Sequence, residues 1–140
     1  MKKILIITLV CMILCFTACS ARLPYDLEGT YSIEIHAYGN ESAEPVAEFV
    51  VKGEDAESIV EMFSALKLKE MNYTEPSIRG YEFWFRDKNG DQVAKLELPF
   101  GHSPWVVVGG SVYQDVNSGI DTEYLAQLVD IASTAGPMER

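Results

Sequence analysis

Asp87-Lys88-Asn89-Gly90-Asp91 begins like a calcium loop, with oxygen donors at its first, third and fifth positions. A hard cation held that way also needs glycine at the sixth position, for the sharp turn, and a bidentate glutamate at the twelfth. Gln92 and Leu98 stand there instead. The stretch therefore reads as a turn, because Asn-Gly between two alternating apolar runs is the strongest short hairpin signal. His36 and His102 are the only histidines, and neither sits in the spacing of a zinc ligand set. No G-x-S-x-G elbow or phosphate-cradling glycine loop is present. With 21 acidic residues, two carboxylates lying close together as in a glycosidase would be unremarkable. No catalytic constellation assembles, so the chain reads as non-enzymatic, with neither metal nor cofactor expected.

Side chains suited to binding are more prominent. In Tyr81-Glu82-Phe83-Trp84-Phe85-Arg86, Tyr81, Phe83 and Phe85 alternate with Glu82, Trp84 and Arg86. If the first set faces a core, Trp84 projects from the opposite face, with Lys95 and Glu97 of the next strand beside it. Trp105 and Tyr113 follow on a later hairpin, and Tyr73 falls in a loop. Aromatic side chains on an open face are favoured binding anchors. The candidate binding surface is therefore Trp84, Glu82, Arg86, Trp105 and Tyr113. For Trp105 and Tyr113 the competing reading is packing, in the core or across strands.

The elements that must position these residues follow from periodicity. "TYSIEIHAY" (30–38) and "VAEFVVK" (46–52) alternate with period two and read as strands forming a hairpin. In "GEDAESIVEMFSALK", Ala56, Ile59, Val60, Phe63 and Leu66 share one helical face. Acidic residues lie near its start and Lys67 at its other end. "LKLKEM" reads as a short edge strand whose lysines discourage pairing. "YEFWFR" and "QVAKLEL" form a hairpin around Asn89-Gly90, and "WVVV" and "SVYQ" another around Gly109-Gly110. "IDTEYLAQLVDIAS" is a helix with Asp121 as N-cap and Ile120 and Leu125 at the staple positions. The order β-β-α-(β)-β-β-β-β-α predicts an α+β fold. It is a mostly antiparallel sheet of about six strands with two helices packed on one face.

The three cysteines, Cys11, Cys15 and Cys19, all fall in the opening stretch. Lys2 and Lys3 precede a run, 4–16, that is apolar except for Thr8. That is the layout of a secretory signal, and it is shorter than the roughly 20 residues a spanning helix needs. It ends in Phe16-Thr17-Ala18-Cys19, which resembles the bacterial lipobox, with Phe16 where leucine is usual. The resemblance implies cleavage before Cys19 and a thioether-linked diacylglycerol on its sulfur. With its leader and general layout, the chain resembles small lipoproteins of Gram-positive bacteria. It then divides into a signal peptide (1–18), a short tether (19–29), one α+β domain (30–134) and a tail (135–140). Ten extended residues of tether reach only about 33 Å, so the domain is expected to stay close to the membrane.

Loss of the leader and its two lysines takes the formal charge from −10 to −12. Such acidity repels nucleic acid and anionic head groups, so the membrane is expected to be engaged through acyl chains on Cys19. The expected function is a lipid-anchored interaction module on the outer face of the cytoplasmic membrane, binding a membrane or envelope protein. The alternatives are a binder of a small, cationic solute and, more distantly, an envelope hydrolase.

Overall fold

The computed structural model describes residues 23–39, 43–73, 79–99 and 105–134. Along the chain run β1 (Ser32–Tyr38), β2 (Pro45–Lys52), α1 (Glu54–Ser64), β3 (Leu68–Met71) and β4 (Arg79–Arg86). They are followed by β5 (Gln92–Pro99), β6 (Trp105–Val108), β7 (Ser111–Asp115) and α2 (Thr122–Thr134). The strands form one sheet ordered β2-β1-β4-β5-β6-β7-β3, and every neighbouring pair is antiparallel. The fold is α+β, with seven strands rather than about six. The lysine-flanked segment supplies the seventh, four residues at the sheet edge paired with β7.

One face of the sheet is apolar and carries both helices. Ile33 and Ile35 of β1, Phe83 and Phe85 of β4, Leu96 and Leu98 of β5 and Val106 of β6 line it. Ala56, Ile59 and Phe63 of α1 and Leu125 and Leu128 of α2 close over them. Phe63 meets Phe83 and Phe85 edge-on, with ring centroids 5.0 and 5.8 Å apart. This is the geometry in which a ring's positive edge meets a negative face. The segment before β1 belongs to the same layer. Leu27 is buried in the core, and the Tyr25 hydroxyl donates to the Phe63 carbonyl at 2.8 Å.

Helix α1 stops at Ser64, a turn earlier than its apolar stripe predicts. Leu66 is buried beyond the helix end, and Lys67 lies outside the helix. Buried Asp115 accounts for this path by accepting the Lys67 N–H at 3.2 Å, drawing the chain toward β7. Helix α2 is capped as expected, the Asp121 carboxylate accepting the Tyr124 N–H at 2.9 Å. The β6–β7 turn needs positive φ at both Gly109 (57°) and Gly110 (84°), which only glycine adopts freely.

Candidate functional site

Because side chains alternate along a strand, the face opposite the helices collects the polar set. Register places Val50, Glu34, Trp84 and Lys95 in one row across β2, β1, β4 and β5. Glu48, His36, Glu82 and Glu97 form the adjacent row, which continues into Val107 and Val112. Val107 and Val112 are buried, so the open part of this face is the half built by β2, β1, β4 and β5. Among the described residues no helix covers that half.

The charges there are organised. Glu82 and Glu97 stand directly opposite each other, an unfavourable pairing for like charges. Lys95 resolves it, its Nζ lying 3.3 Å from Glu82 Oε1 and 2.7 Å from Glu97 Oε1. Glu82 is buried, and its Oε2 also accepts the Tyr38 hydroxyl at 3.0 Å. Glu34 receives Arg86 on Oε2, at 2.9 and 3.1 Å, and His36 Nε2 on Oε1, at 2.9 Å. His36 Nδ1 lies 3.8 Å from Glu82 Oε2, so a chain of polar contacts runs Arg86–Glu34–His36–Glu82–Lys95–Glu97. The hydrogen bond from His36 holds the Glu34 carboxyl below its ordinary value; burial opposes this and Arg86 reinforces it. For Lys95, burial pulls the ammonium down, but Glu97 and Glu82 outweigh it and the net shift is upward.

Trp84 sits in the middle of this chain. Lys95 Nζ lies 4.6 Å from its ring centroid and the Arg86 guanidinium 5.9 Å, with the His36 ring 6.2 Å away. The indole is half-buried, and its Nε1–H is buried without a hydrogen-bond acceptor. Trp84, Glu82 and Arg86 are thus brought together as the period of two implies. Trp105 shares their face but belongs to β6, where its ring packs on Tyr73 with centroids 5.2 Å apart. Tyr113 does not join them, because it pairs with core residue Val106 and packs on the helix side. Cys19 and His102 lie outside the described residues.

Sequence reasoning did not single out Glu34, His36 and Tyr38. The alternation of β1 already put Glu34 and His36 on a polar face; the missing knowledge was that β1 pairs with β4, about fifty residues away. Tyr38 follows the same alternation, two residues beyond His36, and reaches Glu82 diagonally across the β1–β4 pair.

Chemically, the cluster is a surface of paired charges with an aromatic centre, its three carboxylates set against the two cations of Arg86 and Lys95. Each of its three carboxylates is committed to a cation, and both His36 nitrogens are directed at carboxylates. Asp87, of the calcium-like stretch, spends its carboxylate on the backbone N–H groups of Asn89 (2.8 Å) and Asp91 (2.9 Å). Among the described residues, no three His, Asp or Glu side chains gather as a metal site, and no helix is long and apolar enough to cross a membrane. Comparison with protein-family models, with curated proteins and with solved structures finds no match to the chain.

Proposed function

We propose that this protein is a lipid-anchored, non-enzymatic interaction module on the outer face of the cytoplasmic membrane. It binds a membrane or envelope protein through the open half of the sheet around Trp84. The observation that carries the reading is the asymmetry of the sheet. One face is sealed by two helices, while the other presents a half-buried tryptophan ringed by oriented charges. Such a surface supplies both an apolar anchor and the directional polar contacts that select a partner. The chain enters the domain in the helix layer, through Tyr25 and Leu27. The first described residues therefore lie on the side opposite the open face.

Site-specific photo-crosslinking in the bacterium tests this. A photoreactive residue replacing Glu97 on the open face is compared with one replacing Glu57 on α1, each with Trp84 and with Trp84→Ala. The expected result is one predominant protein adduct from position 97, lost with Trp84→Ala and absent from position 57. Equal adducts from both faces, or an adduct indifferent to Trp84, would refute the assignment.

A further inference from the structure

The two edges of the sheet are built differently. Edge strand β3 is four residues long and carries Lys69, a length and charge that deter pairing with another chain. Edge strand β2 is eight residues long and has its one proline at the first position. Val46 and Val50 lie on its open-face side, 65% and 44% exposed. An edge of this length, with exposed valines between its charges, offers a template for an added strand whose own charges match.

We infer that β2 is the edge through which two copies of this chain join, antiparallel about Val50, into one continuous sheet. The commitment to a second copy rests on charge. Residues directly opposite in an antiparallel pair share a face, so a two-fold axis normal to the sheet must pass at a single residue. With Val50 opposite itself, Glu48 faces Lys52 of the second copy and Lys52 faces its Glu48. Two reciprocal ion pairs then flank a valine contact on the open face, while Phe49 meets Val51 on the helix face. With Phe49 opposite itself, Glu48 faces Val50 and Lys52 faces Val46, so neither charge is matched. With Glu48 opposite itself, two carboxylates collide. Val50 thus sits at the centre of a self-complementary sequence, Glu48-Phe49-Val50-Val51-Lys52, whose charged members are both exposed.

The same axis keeps the helix layers of both copies on one side of the joined sheet. The first described residues of both copies then lie on that side, as two copies tethered to one membrane require. Both Trp84 surfaces face the other way.

The test is the mass of the full chain, purified in detergent, by sedimentation velocity across a concentration series. The wild type is expected to be a dimer that dissociates on dilution. Glu48→Lys or Lys52→Glu alone sets like charges against each other at two symmetric places, and is expected to weaken the dimer by about tenfold or more. The double exchange Glu48→Lys/Lys52→Glu restores opposite charges in the same register and is expected to recover most of that loss. At concentrations low enough for every chain to be monomeric, all variants should keep the wild-type melting midpoint, because both side chains are exposed. A wild-type monomer throughout, single variants that dimerise unchanged, or a double exchange without rescue would each overturn the inference. So would a monomer that instead takes up an extended peptide from another protein at this edge.

Discussion

At Trp84 a stabilising and a destabilising contact share one side chain. A buried N–H without an acceptor costs about 1–3 kcal/mol, and a cation such as Lys95 over the ring contributes about 0.5–1 kcal/mol. Trp84→Phe removes the unmet donor and keeps an aromatic face under Lys95. Its stability is expected within about 1 kcal/mol of wild type. Trp84→Ala gives up the half-buried ring and is expected to cost about 2 kcal/mol. Phe83, its neighbour on the opposite face, is fully buried, and Phe83→Ala is expected to cost about 3–5 kcal/mol. Urea unfolding of the three variants checks the ranking; equal losses for the two alanine variants would make Trp84 a core residue. Asp115 makes a second case. Its buried carboxylate accepts N–H groups from Lys67 (3.2 Å), Asn117 (3.1 Å) and Gly119 (2.5 Å), tying the start of β3 to the loop before α2. Hydrogen bonds to a charged acceptor contribute about 1.5–3 kcal/mol each, and they are not additive. Asp115→Ala is therefore expected to cost 3 kcal/mol or somewhat more, roughly as much as losing a core phenylalanine. Asp115→Asn, which turns an N–H₂ toward one of those donors, is expected to cost roughly 2 kcal/mol by the same measurement.

Elements whose physics is local were legible in the sequence, and those fixed by distant partners were not. The β4–β5 hairpin is the clearest local case. The D-x-N-x-D spacing that imitates a calcium loop serves the turn itself, with Asp87 collecting the N–H groups of Asn89 and Asp91. Gly90, at φ 87°, completes it in the left-handed region. Gly90→Ala is expected to cost about 1 kcal/mol through backbone strain, and Asp87→Ala a similar amount through the lost turn contacts. Adding calcium should leave the melting midpoint of the wild type unchanged; a rise would show that the carboxylates serve the ion after all. The strands with alternating residues, and the membership of Trp84, Arg86, Lys95 and Glu97 in one face, are equally local. By contrast, the pairing of β3 with β7, the burial of Glu82 under Tyr38 and the early end of α1 at Asp115 join segments more than forty residues apart. Their energy comes from topology, which a period of two or 3.6 does not encode. Tyr113 shows the difference within one hairpin, since its type allowed binding or packing and its register put it against the core.

Across the whole molecule, the helix layer and the open face should respond to pH in different ranges. In the helix layer, burial pushes the Tyr25 phenol well above its ordinary value of 10.0, and the charge of Asp115 adds to the shift. Burial also raises Tyr81, aided by Asp130, and Tyr124, aided by Asp55. A raised pKa in the folded state means stability that is complete below the unfolded value and is lost as pH climbs toward the folded one. Above about pH 10 the unfolded chain releases these protons more readily than the folded chain does, so unfolding gains up to about 1.4 kcal/mol per pH unit from Tyr25, and less from the more exposed, solvent-screened Tyr81 and Tyr124. On the open face, Lys95 is also raised and weakens in the same alkaline range, whereas Glu34 is lowered. The Glu34 contribution is present above its unfolded value and disappears as pH falls below about 4.5 through the folded one. The net negative charge destabilises the alkaline limb as well, but it is common to any variant that leaves the surface intact. Tyr25→Phe isolates the phenol. At pH 7 it should lose about 1 kcal/mol with the bond to the Phe63 carbonyl, and from pH 9 to 11 its stability should fall less steeply than that of the wild type. Urea midpoints at pH 7, 9, 10 and 11 measure both curves. If they converge with rising pH, the layer between helices and sheet carries a substantial share of the alkaline sensitivity. If they run parallel, Tyr25 is ionising as freely in the fold as in the unfolded chain, and water reaches it beside α1.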